Sequence, residues 1–249
     1  MRRPALLLFV LLLFVFLPAC GKKGPVRPLI KAEPAAPANP EARQIGGAIL
    51  LYVDLPERNL DGTPLTDLSE LRIYRRETAG GVCGECDEPT ELWRTIDPLT
   101  APREGQRLTI RDDDVRPGYG YRYRLVPVTS QGLTGSTAAL ARQLHPFPPA
   151  PAELTATGFD RLVRLHWTES PDLAPGWTSL GCQLFRATGD APFGLAPLTA
   201  SPITGGGYDD IGPLNGTLYR YQLRCLAKQG EIIVDSPPSA VVTVTPQAE

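Results

Sequence analysis

Histidine is almost missing from this chain: His145 and His166 are the only two among 249 residues, and methionine occurs once. So little histidine leaves scant material for a His-based metal site or a nucleophilic triad, and no Gly-x-Ser-x-Gly elbow is present to hold a serine nucleophile. Gly205-Gly206-Gly207 lacks both a lysine and a following helix, which excludes a phosphate-binding loop. An excess of either charge is absent too. With 25 Lys and Arg against 27 Asp and Glu the formal charge is −2, so no basic field points to nucleic acid and no acidic surplus points to disorder. No apolar run is long enough to span a bilayer. The longest, Ala5 to Leu17, covers 13 residues, where a hydrocarbon core of about 30 Å needs roughly 20 in a helix. Proline and glycine, by contrast, are abundant, at 27 and 24, and cluster at seams, which favours short strands joined by many turns. The length suits one large or two modest domains with real cores.

Met1-Arg2-Arg3 puts positive charge ahead of the apolar run, the layout of an export signal that takes no part in the fold. Leu17-Pro18-Ala19-Cys20 then resembles the lipobox of bacterial lipoproteins. The resemblance implies that residues 1–19 are a signal peptide and that Cys20 becomes the mature N-terminus carrying acyl chains such as palmitate. Several chains on one residue anchor firmly where one binds only marginally. In that family's sorting pattern an Asp after the Cys retains the protein in the inner membrane. Gly21 stands there instead, which implies an outer-membrane, lipid-anchored protein facing the periplasm. Cys20 to Pro28 also resembles the CGxKGPLxxP start of short lipoproteins associated with the lipopolysaccharide assembly translocon, with Val26 in place of Leu. That implies a partner-contact tip at Gly21, Lys22, Lys23, Gly24 and Pro25, within an outer-membrane assembly complex. The alternative is a solvated tether whose lysines sit near anionic head groups.

From Gly21 to Pro40 five prolines alternate with alanine and no apolar period appears, so residues 20–40 read as an extended stalk. Beyond it the chain repeats itself. "LRIYRRE" (71–77) parallels "CQLFRAT" (182–188), "DDDVRPGYGYRYRLVPV" (112–128) parallels "DDIGPLNGTLYRYQLRCLA" (209–227), and "AILLYVDLP" (48–56) parallels "VRLHWTESP" (163–171). The order is the same, and the Pro-rich "HPFPPAPAEL" (145–154) separates the copies. Two domains follow, 41–146 and 147–249. Within them Tyr121, Tyr123 and Leu125 alternate with Arg122 and Arg124. Tyr219, Tyr221, Leu223 and Cys225 alternate with Arg220, Gln222 and Arg224, and Val163, Leu165 and Trp167 with Arg164 and His166. A period of two, cut by turn residues every 8–12 positions, argues for antiparallel sandwiches.

Each copy resembles a fibronectin type III domain, an immunoglobulin-like β-sandwich. Trp167, Leu184-Phe185-Arg186 and Asn215-Gly216 before Tyr219 carry the likeness in the second copy. Ile73-Tyr74-Arg75 and Pro117-Gly118 before Tyr121 carry it in the first, where Tyr52 stands in place of the Trp. The expected fold class is all-β, two such sandwiches in tandem. The resemblance implies that Tyr121 and Tyr219 are tyrosine corners with a structural role.

Four cysteines remain after Cys20, an even number suited to an oxidising compartment. The fold that the resemblance implies sets Cys182 near the start of one strand and Cys225 near the end of its antiparallel neighbour. A disulfide there would add about 3–4 kcal/mol, and the alternative is a pair of small buried apolar side chains. Cys83-Gly84-Glu85-Cys86 falls in a Gly-rich hairpin loop without the helix that a thioredoxin-like site needs. A local disulfide is the first reading, an interchain or metal contact the second, and a thiol-disulfide enzyme the third. A zinc site would require a second such pair. Asp112-Asp113-Asp114 and Asp209-Asp210 lack the spacing of a calcium loop and are read as turn residues. The functional expectation is a non-enzymatic envelope module that binds a protein partner, with no cofactor, metal, nucleic acid or small-molecule substrate.

Overall fold

Alternation of apolar and polar residues produces strands wherever one face can be buried. A computed structural model of the chain, which describes residues 32–83, 91–168 and 173–248, contains fifteen strands and no helix among those residues. In the first half β1 (Ala38–Ile45), β2 (Ala48–Asp54), β6 (Arg107–Asp112) and the short β5 (Arg103–Glu104) pair in that order. They face a sheet ordered β4 (Glu91–Ile96), β3 (Leu68–Ala79), β7 (Tyr119–Thr129), β8 (Ala138–Gln143). Ile49, Leu51 and Val53 from one sheet meet Leu71, Ile73, Tyr121, Tyr123 and Leu125 from the other in a single core cluster. In the second half β9 (Ala152–Phe159), β10 (Leu162–Thr168) and β12 (Gly207–Asp210) oppose β11 (Thr178–Thr188), β13 (Tyr219–Gln229) and β15 (Val242–Val244). A separate cluster there gathers Val163, Leu165, Trp167, Leu184, Tyr221 and Leu223. The all-β, fibronectin type III-like class is therefore observed.

Both halves bury the same polar device. Asp112 is fully buried, accepts the Tyr123 hydroxyl at 2.7 Å, and takes both oxygens' contacts from Arg75 Nη1 at 3.0 and 2.9 Å. In the second half Tyr221 donates to Asp210 at 2.8 Å and Arg186 Nη1 to both its oxygens at 3.0 and 2.8 Å. Each aspartate also accepts the backbone N–H two residues on, from Asp114 and Gly212, both at 3.1 Å. The turn reading holds for Asp112 and Asp210, whereas Asp209 lies within β12 and pairs with Arg164; the two buried carboxylates carry a second duty and tolerate their surroundings because three donors make four contacts with each.

Three expectations need correction. Residues 34–40 belong to the fold and not to a stalk: Pro34 and Pro37 are buried, Pro34 bridges to Asn59, and β1 starts at Ala38. Proline fits an edge position because the missing N–H would have faced away from the ladder, and the Pro34 carbonyl still accepts Ser136 N–H at 2.9 Å. The match of Tyr52 to Trp167 is out by one residue. Ile49 and Val163 both pair with the buried aspartate's strand position, so Val53 is the counterpart of Trp167 and Tyr52 faces the other way. Strand β2 is buried on both faces, so alternation gave it no phase, and a slip of one flips every side chain. Arg224, expected outward, is buried.

Strand β14 (Ile232–Asp235) explains that burial. It forms a hairpin with β13 and pairs in parallel with β1 through Ile45 and Asp235, so one sheet runs β11-β13-β14-β1-β2-β6-β5 through both halves. Between β14 and β15 the strand is broken by Pro237 and Pro238, which have no N–H. Ser236 and Ser239 restore the ladder: their hydroxyls accept Cys225 N–H at 2.9 Å and Leu223 N–H at 3.0 Å, while their own N–H groups donate to the Cys225 and Leu223 carbonyls.

Burial first, and then donation to a buried carboxylate, hold the Tyr123 and Tyr221 phenols above their ordinary value. Unfolded tyrosines release their protons near pH 10 while these two keep theirs, so rising pH favours the unfolded chain. Urea midpoints measured from about pH 8 to 11 should fall above about pH 10, and Tyr123→Phe with Tyr221→Phe should flatten that fall while costing roughly 1–3 kcal/mol each at neutral pH.

Candidate functional site

The joint between the halves is a polar site, and it starts from Asp235 at the end of β14. Arg43 of β1 approaches it at 2.9 Å to one carboxylate oxygen and 3.1 Å to the other. Arg224 of β13 lies 3.6 Å from the same carboxylate and lays its guanidinium over the Phe185 ring, 3.9 Å from the centroid. Phe185 points opposite to the core residue Leu184 and is still 1% exposed, because this arginine covers it. Burial pulls the Arg224 guanidinium below its ordinary value, opposed by the Asp235 charge; burial does the same to Arg142, whose Nη2 donates to the Ile233 carbonyl at 3.1 Å.

Backbone geometry closes the joint. Gly46, at φ +55°, donates its N–H to the Asp235 carbonyl at 2.8 Å, and a Cβ there would lie 2.6 Å from Pro237 Cγ. Glycine is required on both counts. Gln44 is fully buried: its amide donates to the Gly46 carbonyl at 3.0 Å and the His145 carbonyl at 2.8 Å, and its oxygen accepts His145 N–H at 3.0 Å. The Pro-rich connection is thus clamped at its first residue. Burial and the nearby Arg142 charge lower the His145 imidazole pKa, which keeps it neutral at pH 7. Sequence reading missed Arg43, Gln44, Arg142 and Asp235 altogether. None lies in a motif, and each is useful only because a distant strand arrives beside it.

The residues singled out from the sequence fall elsewhere. Tyr121 accepts Arg116 N–H at 2.9 Å and donates to Glu77 at 3.1 Å, and Tyr219 accepts Leu214 N–H at 3.0 Å, the corner geometry in both halves. Cys182 and Cys225 sit directly opposite on β11 and β13 and are bonded. Their backbones explain why: Cys182 exchanges both hydrogen bonds with Ile203 and Cys225 is held by Ser236, so neither bonds the other and the pair takes the closer of the two antiparallel spacings. Leu71 and Pro127 occupy the matching register in the first half. Cys83 is disulfide-bonded and lies beside Arg76, Thr78, Gly120 and Arg122. The loop can cross there because Gly120 has no side chain; a Cβ would come within 2.3 Å of Gly81. Cys86, Cys20 and the tip Gly21, Lys22, Lys23, Gly24, Pro25 lie outside the described residues.

The larger hollows are open. One of about 400 Å³ is lined by Ala35, Ala38, Leu55 and Pro56 among others, and one of about 340 Å³ by Glu77, Asp113, Asp114 and Arg116. In the second every acid is ion-paired, with Arg116, Arg111 and Arg75 respectively. Among the described residues no group of three or more His, Cys, Asp or Glu side chains is placed to hold a metal ion.

No family model matches the chain, and no curated protein matches it. Among solved structures it is similar to the chicken CNTN1 FN1-FN3 domains, at a TM-score of 0.34 and 14% identity over 87% of this chain and 69% of that one. It is also similar to a chain described as "Myokine structure", at a TM-score of 0.31 and 20% identity over 40% of this chain and 99% of that one.

Asp235→Ala leaves the Arg43 and Arg224 guanidinium groups facing an empty position. It should lower stability by roughly 3 kcal/mol, the low end for a broken buried pair because Arg43 is a third exposed, as read from urea unfolding. Replacing Cys182 and Cys225 together by Ala should cost about 3–4 kcal/mol in the same measurement, with the first half's core unaffected.

Proposed function

We propose that the chain is a non-catalytic lipoprotein of the bacterial envelope, anchored to the outer membrane by acylated Cys20, which holds two fibronectin type III-like sandwiches in the periplasm to bind a protein partner. The observation that carries this reading is the tetrad Leu17-Pro18-Ala19-Cys20 directly after a 13-residue apolar run with arginines ahead of it. Charge distribution supports it: residues 20–31 hold Lys22, Lys23, Arg27 and Lys31 and no Asp or Glu, whereas residues 32–249 hold 19 basic against 27 acidic side chains, so the segment nearest the lipid is cationic and the remainder acidic. The sandwiches suit a binding role, since their turns display side chains at both ends.

A second reading rests on Cys20 to Pro28: an accessory of lipopolysaccharide assembly acting through that tip. Exchanging residues 21–28 for an unrelated tether separates the two, because the second reading alone expects partner capture to be lost.

Intact-mass analysis of the mature chain should give an N-terminus at Cys20 with acyl groups attached, and Cys20→Ala should remove the lipid and the outer-membrane retention together. A mature chain that begins at another residue, or that fractionates free of lipid, overturns the anchored reading.

A further inference from the structure

The loop between β12 and β13 carries Ile211, Leu214 and Leu218 at 83, 58 and 43% exposure. These three large aliphatic side chains fall within one loop of eight residues, whereas the other exposed ones (Leu60, Leu92, Leu99, Leu133, Ile233, Val241) come from several different segments. The first half supplies an internal control. Asp112 and Tyr121 frame a loop of the same length as Asp210 and Tyr219 do, and its matching positions are Asp113, Arg116 and Gly120. Asp113 pairs with Arg111 and Arg116 with Glu77, so the fold works with polar residues at the positions of Ile211 and Leu214, while Gly120 is glycine because Gly81 crosses it. The aliphatic trio therefore answers to something other than folding.

Its backbone is held throughout. Gly212 N–H donates to Asp210, Leu214 N–H to the Tyr219 hydroxyl, and Gly216 N–H to the Pro246 carbonyl; the Leu218 carbonyl accepts Gly189 N–H at 2.8 Å, and Asn215 accepts Arg161 N–H at 2.8 Å. A loop fixed in this way presents its side chains with little ordering left to lose on contact. Strand directions place it: β1 runs from Ala38 to the joint and β14 runs parallel to it, so the chain enters at one end of the described unit and this loop lies at the other.

We propose that Ile211, Leu214 and Leu218 dock into an apolar groove, rimmed by Lys and Arg, on a protein partner. The proposal rests on the binding-module reading and names its contact. Charge selects the occupant. Asp160 and Asp190 on the adjoining turns are matched by Arg161 and Arg220, so the field at the loop is that of the whole unit, in which residues 32–249 hold 27 acidic against 19 basic side chains. An anionic lipid surface and a second copy of the chain are both repelled, while a basic rim is attracted. A photo-reactive residue replaces Leu214 in the full-length acylated chain, with parallel probes at Leu60 and Leu99. Leu214 should give an adduct with one other polypeptide, mapped to an apolar groove flanked by Lys or Arg. Ile211→Asp with Leu218→Ser should cut that adduct at least tenfold while the chain still unfolds in one cooperative transition. Ile211→Asp alone, at a position too exposed to affect folding, should cut it in the same direction. Adducts at Leu214 to lipid, to a second copy, or to nothing overturn the proposal. If Leu60 or Leu99 then captures a protein, the binding-module reading survives without this contact; if no probe does, both fall.

Discussion

One carboxylate decides how the two halves of this molecule relate. Asp235 accepts charge from Arg43 of the first half and Arg224 of the second, and its backbone carbonyl accepts Gly46 N–H, so side chain and main chain bind the same neighbour. Ion pairs of this kind contribute modestly to stability against an apolar replacement, yet they penalise wrong arrangements severely, because each unpaired partner is left buried. The joint therefore acts on geometry. It turns a Pro-rich connection, which alone would permit many orientations, into a continuous sheet through both cores.

Duplication makes the chain its own comparison. What both halves retain is what the sandwich needs: a buried Asp that takes a Tyr hydroxyl and an Arg, and a corner Tyr that holds the loop before its strand. What only one half has is elective. The second has a disulfide where the first has Leu71 and Pro127, and aliphatic residues where the first has ion pairs. Shared features report folding, and divergent ones at matched positions are where function is to be sought.

Much of the fold was legible beforehand. Tyr121, Tyr123 and Leu125 alternate with arginines, and the period of two is a direct consequence of the pleat. Misreadings came where that period was silent or misleading. Strand β2 is buried on both faces, so Tyr52 could be set on either side. Arg224 keeps the outward phase, but another part of the chain covers that face. The loop trio was also passed over, since Ile, Leu and Leu in a turn carry no motif and become notable only once the first half shows ion-paired residues at the positions of Ile211 and Leu214.

The sequence by itself determined most of the strands, the repeat and the buried turn acids, because these depend on neighbours a few residues apart or on a period that the backbone imposes; the meeting of Cys182 and Cys225 followed only from the fold. The tertiary structure alone decided that β14 joins β1, that Gln44 clamps His145, and that Arg43, Arg224 and Asp235 meet. Those contacts link residues up to 192 positions apart. No local preference encodes such a meeting, since the energy that favours it exists only after both cores have formed and brought their edges together.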